Sequence, residues 1–120
     1  QRKVVGLVGD GGLSLNLGEL ATLAQEKANV TLLIMNDGGY GVMRGIQDKY
    51  FGGRQYYNEL HTPDFTLLAQ AIGLQAWSVE RADDFDAVMT EDAVLISWIS
   101  PGGAALTGPT VSHTITAKKP

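Results

Sequence analysis

Two short runs in this chain combine a carboxylate with glycines: Gly9-Asp10-Gly11-Gly12 and Asn36-Asp37-Gly38-Gly39-Tyr40-Gly41. Glycine lets a backbone turn sharply and approach a bound group closely. A carboxylate inside such a turn repels a bare phosphate and attracts a cation. Magnesium resolves the conflict, because it takes carboxylate, carbonyl, water and phosphate oxygens at about 2.0–2.1 Å in an octahedron. The chemistry open to these residues is therefore a phosphate ester held through a metal ion. Other chemistries have less to work with. His61 and His113 lie far apart without metal-ligand spacing, no Ser-His-Asp arrangement can be argued, and cysteine is absent, which excludes disulfides and thiolate metal sites.

The elements around the two runs must bring them together. Lys3-Val4-Val5-Gly6-Leu7-Val8 is a short apolar run with the pattern of a strand buried on both faces, and Val30–Met35 is a second one. Between them, Leu13 to Lys27 carries Leu13, Leu17, Leu20, Ala21, Leu23 and Ala24 at helical spacing, which predicts one helix with an apolar face. The product is a βαβ unit. Parallel strands in such a unit end on the same sheet edge, where open α/β folds bind ligands. Asp10 and Asp37 are thus expected to face one crevice. The N-terminus of the helix after Gly12 is expected to point into it and favour phosphate.

Gly9-Asp10-Gly11 followed after residues 12 to 35 by Asn36-Asp37 resembles the thiamine-diphosphate signature, a GDG and then an Asn pair at a fixed interval. The chain is similar to the C-terminal diphosphate-binding domain of the acetolactate synthase, pyruvate oxidase and benzoylformate decarboxylase group. The resemblance implies that Asp10 and Asp37 ligate Mg2+ with their side chains and Gly39 with its carbonyl. It implies that Gly9, Gly11, Gly12, Tyr40 and Gly41 lie against thiamine diphosphate. Met43 lines the substrate pocket at the matching family position, and ordinary core is the competing reading. The family usually has Asn where this chain has Asp37. That extra charge predicts a stronger dependence on metal and a more repulsive cofactor-free site.

The resemblance further implies a parent enzyme acting on a small-molecule 2-oxo acid, as a decarboxylase or carboligase. Its activating glutamate and pyrimidine-binding domain lie outside these residues, so no catalytic residue is assigned within the chain. A homo-oligomer, a cytoplasmic location and no secretory leader are expected. The isolated chain is expected to be inactive, with an exposed apolar sheet edge or face prone to self-association.

At 120 residues, 44% of them hydrophobic, the chain can bury a core as a single domain. A net charge of −4 without a basic stripe argues against nucleic acid, and no run approaches the length of a membrane span. The fold expected is α/β, an open parallel sheet flanked by helices, over residues 1–99. The rest of the pattern fits it. Tyr40 to Tyr50 reads as a short helix over the crevice, and Phe51 to Tyr57 as a loop in which Arg54 is solvated. Thr62-Pro63-Asp64 starts a helix that Gly73 ends, and Leu74–Val79 is a third strand. Ala82–Glu91 and Val94–Ile99 give the last helix and strand. Residues 100–120 form a tail in which Val111, His113 and Ile115 alternate, as in a short edge strand or a disordered segment.

Three other readings compete. A NAD-type dinucleotide site would use Gly9-x-Gly11, but Ser14 replaces the third glycine and Asp10 would face the bare pyrophosphate. A phosphoacceptor receiver-like domain needs an acid pair ending the first strand, which is not evident. A non-catalytic remnant of the same fold would keep the signature without the activity.

Overall fold

The structure, a computed structural model, describes residues 4–89 and 95–99. Strand β1 (Val4–Gly9) runs into a single helical turn, α1 (Asp10–Ser14), then helix α2 (Glu19–Glu26) and strand β2 (Val30–Asn36). Helix α3 (Gly41–Tyr50) follows, then α4 (Phe65–Ala71), β3 (Ala76–Val79), a 3-10 turn (Ala82–Asp84), α5 (Phe85–Met89) and β4 (Leu95–Ile99). The strands form one parallel sheet in the order β1-β2-β4-β3. An α/β fold with a parallel sheet and flanking helices is thus in place. The expectations for residues 90–94 and the 100–120 tail lie outside the described residues.

Hydrophobic packing arranges helices on both faces. On one face, Leu13 and Leu20 meet Ile34 of β2 and Phe65, Ala69 and Leu74 from α4 and its end. The opposite face carries a smaller cluster in which Val79 packs with Leu33, Trp77 and residues of α5. Phe65, Leu20 and Ile34 are fully buried and anchor the sheet that carries the cleft.

Several boundaries differ from the expected ones, each for a local reason. The first helix starts at Asp10 and is interrupted, so Leu13–Lys27 is not one continuous helix. Ser14 donates its hydroxyl to the Asp10 carbonyl at 2.8 Å, and Asn16 and Gly18 are poor helix formers. Reverse-turn hydrogen bonds such as Asn16 N–H to Leu13 O (2.8 Å) and Glu19 N–H to Asn16 O (3.0 Å) bridge the gap. With only one turn in α1, little of a helix macrodipole points at the crevice.

The cap of α4 is Asp64 rather than Thr62, because the Asp64 carboxylate accepts from the Thr66 and Leu67 N–H groups at 2.9 and 3.0 Å. Asp64→Ala should cost about 1 kcal/mol of stability, read as a lower midpoint in urea denaturation. At the other end Gly73, at φ +83°, closes a Schellman turn in which Gly73 N–H reaches Gln70 O and Leu74 N–H reaches Ala69 O. Leu74 is therefore engaged with the helix, and β3 begins at Ala76.

Strand β1 is not buried on both faces. Val4, Val5 and Leu7 are exposed, and among the described residues β1 is an edge strand that pairs with β2. Only Gly6 and Val8 turn partly inward.

Candidate functional site

The parallel register sets the site. Gly9 pairs with Met35 across β1 and β2, so Asp10 leaves its strand beside Asn36 and Asp37. A cleft of about 450 Å3 opens there. Gly9, Asp10, Gly11, Gly12, Asp37, Gly39, Tyr40, Gly41 and Met43 all line it, so the residues that the resemblance assigns to cofactor and metal lie in one place. Met35, Asn36 and Val42 complete the lining. Met43 is half exposed, not core, and also borders a groove of about 300 Å3 with Ile46, Phe51 and Tyr56. Arg54 stays on the surface of that groove and donates through Nε to the Phe51 carbonyl at 3.1 Å, as a loop arginine does.

Asp10 is the unusual group. Its side chain is only 1% exposed, and Oδ2 has no hydrogen-bond partner among the described residues. Burial pushes its carboxyl above the ordinary aspartate range, the Gly11 N–H pulls it back, and the neighbouring Asp37 charge raises it again. The sign for stability follows. A carboxylate that is harder to ionise when folded weighs against the fold above its raised pKa, and that penalty fades as pH falls through it. At neutral pH, Asp10→Asn should therefore raise the melting temperature of the cofactor-free chain. The difference between the two proteins should shrink on acidification in a calorimetric pH series.

A buried carboxylate oxygen lacking a donor is a position suited to a cation. Among the described residues no three His, Cys, Asp or Glu side chains converge. Any metal here would take Asp10 and Asp37 from the side chains and fill its shell with main-chain carbonyl, water and phosphate oxygens. Magnesium tolerates that donor set well, since it keeps waters and substrate phosphates around one or two carboxylates. The residues present fit it.

The glycines are needed for space. A Cβ on Gly11 would come within 2.7 Å of the Tyr40 ring. One on Gly41 would strike Asp37 Oδ2, and one on Gly39 would strike the Asn58 carbonyl. The turn after β2 is clamped by the chain that returns over it: Tyr40 N–H donates to Asn58 O (2.8 Å) and Leu60 N–H to Gly38 O (3.0 Å). Gln47 holds that return, accepting from Asn58 Nδ2 at 2.7 Å and from Tyr56 N–H at 2.9 Å. Arg44 donates to the Asp37 carbonyl at 2.9 Å. Arg44, Gln47 and Asn58 were not singled out from the sequence. The first two share a helical face with Tyr40, a spacing that could have pointed to them.

Residues 1–115 match the family model described as thiamine pyrophosphate enzyme, C-terminal TPP binding domain. The chain belongs to that family. This thiamine pyrophosphate-binding domain is 36% identical over 75 residues to an acetolactate synthase of Arthrospira platensis, an alignment covering 61% of the chain and 13% of that protein. It is 29% identical over 111 residues to a probable acetolactate synthase large subunit of Methanocaldococcus jannaschii, covering 86% of the chain and 18% of the relative. A solved thiamine diphosphate-dependent 4-hydroxybenzoylformate decarboxylase of Rhodococcus jostii RHA1 superimposes with a TM-score of 0.71 at 30% identity. That superposition covers 82% of this chain and 19% of the decarboxylase. The domain thus spans less than a fifth of each of these relatives, which is the share expected of one domain in a multidomain enzyme.

Proposed function

We propose that this domain holds the diphosphate of thiamine diphosphate through a magnesium ion, as part of a 2-oxo acid decarboxylase or carboligase. Asp10 and Asp37 would ligate the metal with their carboxylates and Gly39 with its carbonyl. Gly9, Gly11, Gly12, Tyr40 and Gly41 would give the diphosphate room, and Met43 would face the reacting end of the cofactor. The observation that carries this reading is Asp10: a buried carboxylate with an unpartnered oxygen, set beside a second carboxylate in a glycine-walled cleft. Such a pair weighs against the fold unless a cation joins it.

When bound, the cofactor supplies the electron sink for cleavage beside a 2-oxo acid carbonyl. The chain's own share is to anchor, orient and shape. The remaining parts of the site, including the groups that contact the aminopyrimidine, are expected from a pyrimidine-binding domain of the same enzyme. Homo-oligomerisation would supply that domain from a neighbouring copy, and the chain alone should show no turnover.

Calorimetric titration with thiamine diphosphate, with and without magnesium, tests the reading. Saturable binding is expected only when the metal is present. Metal-independent binding, or binding of NAD in its place, would overturn it.

A further inference from the structure

Arg44 sits where its helix must send it. Its N–H donates to the Tyr40 carbonyl at 3.0 Å in the first turn of α3, and helical side chains lean back toward the N-terminus. The guanidinium therefore folds back over the turn that leaves β2. Nη2 donates to the Asp37 carbonyl at 2.9 Å and lies 4.0 Å from Asp37 Oδ2, an ion-pair distance rather than a hydrogen bond. It is packed so closely on Gly39 that a Cβ there would overlap it. The Arg44 side chain is 19% exposed, and its Nε is buried without a hydrogen-bond partner among the described residues.

An arginine with its Nε left unpaired is not placed there to satisfy its own hydrogen bonds. What the position gains is a permanent positive charge beside Asp37. The Asp37 charge makes Asp10 costlier to ionise, and both carboxylates repel an incoming diphosphate. Arginine stays charged at every working pH, so its compensation does not depend on whether metal is bound.

We infer that Arg44 is a positioning residue of this cleft: it offsets the Asp37 charge and pins the Asp37–Gly39 turn, so that two acids can face one diphosphate. The inference rests on the diphosphate-binding reading above, and it assigns the role to charge rather than to the turn contact alone.

A double-substitution cycle separates the two. The unsubstituted chain, Arg44→Met, Asp37→Asn and the double variant are titrated with thiamine diphosphate at saturating magnesium, and each is also melted without either ligand. Arg44→Met should weaken cofactor binding about tenfold when Asp37 is present and by less than about twofold in the Asp37→Asn background. Arg44→Lys should restore most of the affinity. In the ligand-free melts, Arg44→Met should lower the melting temperature by several degrees only where Asp37 keeps its carboxylate. Both backgrounds retain the Asp37 carbonyl. An equal loss in each, with lysine no better than methionine, would reduce Arg44 to a turn clamp and overturn the inference. Failure of the unsubstituted chain to bind cofactor would sink the diphosphate reading instead, while the ligand-free melts still decide whether Arg44 offsets Asp37.

Discussion

Asp10→Ala should abolish magnesium-dependent binding of thiamine diphosphate, raising Kd by at least about 100-fold, or roughly 2.7 kcal/mol. The substitution removes the buried ligand and leaves Asp37 facing the phosphates as the one remaining carboxylate of the pair. It should not unfold the chain. Asp10 is only 1% exposed and its Oδ2 has no hydrogen-bond partner among the described residues, so its loss should leave the ligand-free melting temperature unchanged or higher. That opposite movement of affinity and stability is the signature to look for. Affinity within a few-fold of the unsubstituted chain would show that the cofactor is held elsewhere.

Gly39→Ala should be the most damaging of the glycine substitutions. Its added methyl would overlap the Asn58 carbonyl, which is backbone and cannot swing aside as a side chain would. That carbonyl accepts the Tyr40 N–H, and the same stretch carries the antiparallel bridge between Gly39 and Glu59. The returning chain must therefore shift, at a cost of about 1–3 kcal/mol, and the cleft loses its wall with it. A melting temperature lower by about 4 °C or more, with cofactor binding weakened at least about tenfold, is expected. Gly45→Ala is the control. Nothing lies within 4 Å of its missing Cβ in the middle of α3, so it should stabilise by about 0.4–1 kcal/mol. Equal effects at the two positions would mean that backbone entropy, not the Asn58 contact, sets the cost.

The part of the fold legible in the sequence was the part written in local pattern. Apolar strand runs ending in glycine-rich acidic turns placed Asp10 and Asp37 on one sheet edge, and the parallel register of β1 and β2 brings them into the same cleft. Helix α3 and the loop after it were likewise readable from spacing and glycine. Less legible were the boundaries set by a single hydrogen bond. Asp64 outcompeted Thr62 as a cap, and the Ser14 hydroxyl helped to end a helix that the apolar period alone would continue.

The exposure of β1 was not visible either, because an apolar strand reads the same whether or not anything covers its outer side. Arg44, Gln47 and Asn58 stayed hidden for another reason. Much of what they hold is main-chain atoms distant in sequence, and no pattern of side-chain types records such pairings.

Helix α3 buries none of its side chains fully, so grease does little to seat it. Its fastening is a row of polar latches: Arg44 on one turn, Gln47 on the next, and the amide of Tyr40 at its start. Such latches loosen under conditions that leave a packed sheet intact. The wall of the cleft can therefore open and reseat while the strands beneath stay folded, and amide exchange along Val42–Lys49 should run ahead of exchange in Leu32–Ile34.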